Sequence, residues 1–169
     1  SGTRMVTPMA SDTSPHHGAA DSPLPGSPGS PLWDPLAVPA ATVIVARDGA
    51  DGFEVLMLHR DKGLSFAGGM WVFPGGRIDP GDRAADDPAD DEGALEAAAR
   101  RAAVREAHEE SGLLVDPAEI ARFSHWTPPP RNDNRFSTAF FVAPAVDAAT
   151  EVVIDDGEIR DHEWMRPAD

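Results

Sequence analysis

Hydrophobic patterning sets in abruptly at about residue 40. Thr42-Val43-Ile44-Val45-Ala46 is rich in β-branched side chains, and Glu54-Val55-Leu56-Met57-Leu58-His59 follows after Asp48, Gly49, Asp51 and Gly52. Two strands joined by a turn are predicted. Trp71-Val72-Phe73 is a short apolar run halted by Pro74-Gly75-Gly76, and Arg77 to Asp82 turns again, so a strand followed by a tight loop is expected. Leu95 to Ser111 is built of Ala, Glu and Arg with no Pro or Gly inside, and Gly112 follows as a helix C-cap. This is the one long helix the pattern predicts. Ala121–Trp126, Ser137–Ala143 and Ile159–Met165 read as further strands, separated by Pro128-Pro129-Pro130 and by the acidic turn Asp155-Asp156-Gly157. The pattern as a whole spells an α/β domain with a mixed sheet around one prominent helix.

Ahead of residue 40 the period disappears. Residues 1–39 hold eight of the 17 prolines, interspersed with Ser and Gly. Such a segment buries too little apolar surface to offset its ordering entropy, so a disordered arm is expected, with His16 and His17 solvated. The remaining residues, 40–169, suffice for one core.

Composition narrows the function. Fourteen Lys and Arg against 29 Asp and Glu give a net charge of −15, which repels a phosphate backbone and an anionic lipid surface alike. Nucleic-acid and membrane partners are therefore not expected. An acidic protein still handles phosphorylated small molecules when divalent cations stand between its carboxylates and the phosphates. Cysteine is absent, which excludes disulfides, thiolate nucleophiles and Cys-ligated metals. The apolar stretch Leu36–Ala46 is broken by Pro39 and is far shorter than the roughly 20 residues that span a bilayer. No secretory signal is evident at the N-terminus, so a cytoplasmic location is expected.

The candidate chemistry lies on the helix. Glu106, Glu109 and Glu110 stand at i, i+3 and i+4, so three carboxylates rise from one face. Their repulsion is relieved by cations, and hard Mg²⁺ or Mn²⁺ suits oxygen ligands. Arg105, four residues before Glu109, is placed to orient a carboxylate. A Glu-rich helix by itself reads first as a solvated charged face. Pro74-Gly75-Gly76 adds a loop whose backbone can approach a metal or a phosphate closely.

Taken together, Gly76, Asp82 and Arg105-Glu106-Ala107-His108-Glu109-Glu110-Ser111-Gly112-Leu113 resemble the Nudix box: Gly, five residues, Glu, seven residues, then Arg-Glu-U-x-Glu-Glu-x-Gly-U, with U aliphatic. Ala102-Ala103-Val104 resembles the family's lead-in to that Arg-Glu pair. Three departures stand out. Asp82 replaces Glu and shortens the carboxylate's reach by one methylene. Between Asp82 and Arg105 lie 22 residues instead of seven, an insertion of 15 assigned to the Arg83–Gly93 loop and an added helical turn. Ala107 replaces a larger aliphatic and bears on packing beneath the helix. The long insertion, together with Trp71 to Gly76 and Arg135 to Phe141, is similar to a subgroup that includes peroxisomal coenzyme A diphosphatases. Leu58-His59-Arg60 and Phe66-Ala67-Gly68-Gly69 partly echo an additional motif of coenzyme A hydrolases.

The resemblance, which covers residues 40–167, implies an α/β/α sandwich with a mixed sheet. It also implies divalent-metal-dependent hydrolysis of a diphosphate linkage in a nucleoside diphosphate derivative, with coenzyme A or an acyl-CoA as candidates. The implied metal set is Gly76, Asp82, Glu106, Glu109 and Glu110, holding Mg²⁺ or Mn²⁺. Arg105, Glu106 and Glu109 are the implied catalytic residues, with Glu106 first choice as general base and Glu151 and Glu158 as later candidates. Arg60, Arg77 and Arg135 are expected to meet the substrate, because a guanidinium fork suits phosphates, and Arg131 is a further candidate. Trp33, Trp71, Trp126 and Trp164 are candidates for stacking on a base, though tryptophans are commonly core. His59, His108, His125 and His162 show no metal-ligand spacing. A nucleotide-containing small molecule is the expected partner, and a homodimer is a candidate assembly. The family usually continues into another helix beyond Pro167-Ala168-Asp169, so the domain is expected to lack that helix. The alternative reading is a binding or regulatory module that has lost catalysis.

Overall fold

The computed structural model describes residues 33–86, 91–130, 135–145, 151–154 and 157–168. Arm residues 1–32, part of the insertion loop, Arg131 and the Asp155-Asp156 turn lie outside the described residues.

The predicted hairpin is present as β1 (Val38–Gly49) and β2 (Gly52–Arg60). Its two-residue turn, Ala50-Asp51, is closed by the pair Gly49↔Gly52, and Gly52 takes φ +123°, a conformation that favours glycine. The two strands pair only from Ala46↔Val55 to the turn and then splay apart. The next segment fills the gap with one short strand on each arm. β3 (Trp71–Val72) pairs with β2, and β4 (Gly75–Arg77) pairs with β1 through Ala40↔Arg77 and Thr42↔Gly75. The sequence reading placed a tight loop where β4 runs. Two glycines carry little strand propensity, and pairing to β1 overrides it.

A single 3₁₀ turn, Pro80–Asp82, follows, and then α1 (Glu92–Ser111), which extends the predicted helix by one turn at its start. β5 (Ala121–Trp126), β6 (Phe136–Pro144) and β7 (Ile159–Met165) complete the sheet. β6 runs parallel to β1 from Val38↔Phe136 to Ala46↔Pro144, and β5 is antiparallel to β6. β7 is antiparallel to β2 on the edge away from β1. The sheet is therefore mixed, in the order β3-β2-β1-β6-β5 with β4 and β7 attached to β1 and β2.

Alternation along β1 and β6 sorts side chains to two faces. Ala41, Val43 and Val45 with Ala139, Phe141 and Ala143 are buried against α1, whose buried face is Leu95, Ala98, Ala99, Ala102, Ala103 and Ala107. Alanine at the contact positions lets the helix approach the sheet closely, and Ala107 belongs to this tight packing. On the other face Thr42, Ile44, Thr138 and Phe140 are only half-buried. Among the described residues α1 is the sole α-helix, so a second helical layer is not found there. None of the described helices is long and apolar enough to cross a membrane.

The folded unit begins earlier than residue 40. Trp33 is 6 % exposed and belongs to the core, Asp34 pairs with Arg135, and β1 starts at Val38. Residues 33–39 therefore belong to the domain and not to the arm. The Pro-rich composition hides this because the partners of Trp33 and Asp34 lie about a hundred positions further along the chain.

Candidate active site

α1 is fixed at both ends. Asp91 accepts a hydrogen bond from the Ala94 N–H at 2.7 Å, and Gly112 takes φ +70°, closing the helix with its N–H on the His108 carbonyl. Past the alanine face, the last two turns carry Glu106, Glu109 and Glu110 to β4. The glycines of β4 leave room for what lies against them. A Cβ on Gly76 would sit 2.6 Å from the Glu106 carboxyl carbon, and one on Gly75 would sit 2.5 Å from Thr42 Oγ1 and 2.6 Å from the Ala41 carbonyl.

Glu110 is 7 % exposed; its Oε2 accepts the Gly75 N–H at 3.0 Å, and its Oε1 faces Arg60 Nη1 at 3.7 Å. Burial pushes its pKa up to about 7, against the opposing pull of the Gly75 hydrogen bond. Burial also raises Glu106, with Arg105 opposing and Glu109 adding to the rise. Glu109 is the exposed member of the three.

Arg105 binds this group together. Its Nη1 donates to Glu106 Oε1 at 2.8 Å and to Glu109 Oε2 at 2.9 Å. Its Nε and Nη2 grip Asp82 Oδ1 and Oδ2 at 3.1 and 2.8 Å, and Nη2 also reaches the Arg77 carbonyl at 3.1 Å. The hydrogen bond to Asp82 raises the guanidinium's already high pKa further.

Asp82 departs from its expected place among the metal-facing carboxylates. It is 5 % exposed, both oxygens are taken by Arg105, and Oδ2 also accepts the Asp79 N–H at 2.8 Å. Burial alone would raise its pKa, but Arg105 and that N–H hold it below the usual range. Asp82 anchors Arg105, and its shorter side chain reaches no further than that.

Gly76, Glu106, Glu109, Glu110, Arg60 and Arg77 line one cleft of about 1000 Å³. Arg60 is held by Glu158 Oε2 at 2.7 Å, and Glu158, one of the late carboxylate candidates, lines the cleft as well. Arg135, expected to meet substrate, does not line it. It is 8 % exposed, with Nη2 on Asp34 Oδ2 at 2.5 Å and Nε on the Pro128 carbonyl at 3.0 Å, so it ties the segment before β1 to the segment after β5. Of the four tryptophans only Trp126 lines the cleft. Trp33 is core, Trp71 lies against His59, and Trp164 carries the Arg47 guanidinium at 4.1 Å from its ring centroid. Sequence reasoning missed Phe66, Phe136 and Phe140 in the cleft. The alternation Phe136, Thr138, Phe140 on one face of β6 was the available signal.

The donor chemistry fits a hard divalent cation in one particular way. Among the described residues no three His, Asp or Glu side chains converge into a ready-made cage. Mg²⁺ rarely uses such a cage; it is bound through one or two carboxylates, waters and the substrate's phosphates. Glu106 and Glu110, desolvated neighbours on the cleft wall beside Gly76, match that mode.

The NUDIX domain model matches residues 37–169. The fold is similar to the crystal structure of a NUDIX hydrolase from Alicyclobacillus acidocaldarius, at 26 % identity and TM-score 0.62 over 79 % of this chain and 80 % of that one. It is also similar to the NUDIX domain of Shewanella oneidensis NrtR complexed with ADP ribose, at 19 % identity and TM-score 0.57 over 80 and 79 % of the two chains. A C. elegans Ap4A hydrolase shares the fold at 20 % identity and TM-score 0.52, over 76 and 79 %. No curated protein matches the sequence.

Proposed function

Since the chain belongs to the NUDIX family and is a hydrolase of phosphorus-containing anhydrides, we propose that it cleaves a diphosphate linkage in a nucleoside diphosphate derivative with Mg²⁺ or Mn²⁺. The observation that carries this reading is the pair Glu106 and Glu110, packed on Gly76 and Gly75 in the wall of an open cleft.

Glu106, Glu109, Glu110 and the Gly76 backbone carbonyl would hold the metal. When bound, it neutralises charge on the phosphate oxygens and lowers the pKa of water. The protein's own residues do the rest. Glu106 takes a proton from the water that attacks phosphorus, the anhydride P–O bond breaks, and the leaving phosphate departs with its electron pair. Burial of Glu106 favours its accepting that proton. Arg105, anchored by Asp82, fixes the Glu106 and Glu109 carboxylates so that little reorganisation is needed. Arg60 and Arg77 receive the phosphates, both being in the cleft.

Coenzyme A remains a candidate substrate on the strength of the long insertion and the partial upstream motif. ADP ribose and dinucleoside polyphosphates join it from the structural neighbours. The test is product detection by mass spectrometry after incubation with Mg²⁺ or Mn²⁺ and a panel of coenzyme A, NADH, ADP-ribose, dinucleoside polyphosphates and nucleoside triphosphates. Metal-dependent cleavage at the diphosphate of one member is expected. Silence across the panel from folded protein would overturn the reading.

A further inference from the structure

Arg60 stands between two carboxylates and bonds only the outer one. Its Nη2 donates to Glu158 Oε2 at 2.7 Å, whereas Nη1 stops 3.7 Å from Glu110 Oε1. Guanidinium–carboxylate hydrogen bonds run at about 2.7–2.9 Å, so the second contact is open by roughly 1 Å. The asymmetry matters because of how Glu110 uses its other oxygen. Oε2 accepts the Gly75 N–H at 3.0 Å, which leaves Oε1 as the oxygen with which Glu110 would meet a cation. An arginine closed onto Oε1 would compete with the cation for it.

The chain holds Arg60 in this position from several sides. Its N–H donates to the Met70 carbonyl at 3.0 Å, and its carbonyl accepts the Gly69 N–H at 3.1 Å. The register of β2 against β7 shifts there, with His59 facing Asp161 and Arg60 facing Ile159. Irregularities of this kind re-aim a side chain beside a site. Glu158 directly precedes β7, and its carbonyl accepts the Asp61 N–H at 2.8 Å. The backbone and the carboxylate of Glu158 thus fasten Arg60 and its successor together.

The Arg60 guanidinium is mostly buried, and its Nε–H has no hydrogen-bond partner among the described residues. A desolvated cation with donors to spare turns to the next acceptor when one of its bonds is cut. Here that acceptor is Glu110 Oε1.

We propose that Glu158 is a positioning residue that keeps Arg60 off Glu110 and so reserves Glu110 Oε1 for the divalent cation. This rests on the metal-dependent reading above and deepens it. Glu158 acts through Arg60, neither as the base that activates water nor as a ligand to the metal. Its removal frees Nη2, the guanidinium closes onto Oε1, and the carboxylate is neutralised before a cation reaches it. Partners one step behind a metal ligand typically contribute about 10- to 100-fold to metal affinity.

The experiment titrates Mn²⁺ alone into the full chain, with free Mn²⁺ read by its EPR signal, and a thermal melt accompanies each variant. Glu158→Ala should weaken Mn²⁺ binding about tenfold. Glu158→Gln loses the charge but keeps an oxygen that accepts from Nη2, so it should stay within about threefold of wild type. In an Arg60→Ala background, where no guanidinium can close, Glu158→Ala should cost less than about threefold. The Glu158 side chain is half-exposed, so the fold should tolerate these changes, and Glu158→Ser takes the place of the alanine variant should that one unfold.

Equal losses from Glu158→Ala with and without Arg60 would overturn the proposal, because the metal would then feel Glu158 directly. A loss in Glu158→Gln as large as in Glu158→Ala would overturn it as well. So would a kcat deficit of about 100-fold or more in Glu158→Gln that persists at saturating Mn²⁺, which would make Glu158 the base. Cleavage of a panel member together with equal losses sinks this proposal alone. Arg60-dependent losses of Mn²⁺ binding without any cleavage sink the hydrolytic reading alone, and no Mn²⁺ binding by the wild-type protein removes both.

Discussion

Arg105 and Arg135 are each ringed by carboxylate and carbonyl oxygens, yet they serve opposite ends. Arg105 spreads its five donors over Asp82, Glu106, Glu109 and the Arg77 carbonyl, and it stays partly exposed. Arg135 is buried and joins two distant pieces of chain, Asp34 before β1 and Pro128 after β5. Around it Ser137 Oγ meets both His125 Nε2 and Thr127 Oγ1 at 2.8 Å, and Trp33 packs edge-on to the His125 ring. The first cluster gathers excess negative charge at a solvent-facing wall, an arrangement that serves cations and phosphates. The second balances its charges inside the fold, so it serves cohesion. The same residue type, equally suited to phosphate on paper, is assigned by where its partners come from.

The sharpest way to test that division is Glu109→Gln. The side chain is 56 % exposed, so the fold should tolerate the change, while metal-dependent turnover should fall by about a hundredfold or more. Steady-state kinetics beside a thermal melt reads both, and near wild-type turnover would detach Glu109 from the site. Arg135→Ala should do the reverse. Removing the buried guanidinium leaves the partly exposed Asp34 carboxylate with the Leu36 N–H, at a cost of about 2 kcal/mol of stability, read by denaturant unfolding. The kcat of the folded fraction should remain, and a loss of kcat without a loss of stability would return Arg135 to the substrate.

The smallest effect is a pH dependence of the second cluster. Burial, aided by Arg122 and opposed by Glu92, lowers His125 from 6.5 to about 4. Between those values the unfolded chain binds the proton and the folded chain does not. The stabilising contribution is thus complete above about pH 6.5 and drains away as pH falls toward 4. The ring is only half-buried, so the slope should be shallow. His125→Asn should flatten it in melts taken across that interval, whereas an unchanged slope would place the titrating group elsewhere.

What the chain's letters disclosed divides along the same line. Glu106, Glu109 and Glu110 are neighbours on one helix, so their spacing alone brings them together. The hairpin, the helix and its glycine cap are equally local. Other features depend on partners far apart in the chain. The Gly75 N–H and the Glu110 carboxylate are 35 positions apart, Asp82 and Arg105 are 23 apart, and Asp34 and Arg135 are 101 apart. That Asp82 would be consumed by Arg105, that the glycines would pair as a strand, and that Trp33 would be core all follow from tertiary packing, which overrides local propensity. Phe66 was hidden differently: no periodicity marks a single ring on a loop whose ends are tied by Arg60 and Met70.

The parallel pairing of β1 with β6 also has a kinetic meaning. It joins the first strand of the domain to one near its end, and β4, the seat of the glycines, is stitched to the same β1. Closing so large a loop is slow, because the entropy of closure is lost before the contacts return it. The hairpin and α1 should form early during refolding, while the cleft, walled by β1, β6 and the glycine strand together, should come into being only at the last, rate-limiting step. Recovery of ligand binding would then lag behind recovery of helix, and the enzyme would have no partly folded form that works.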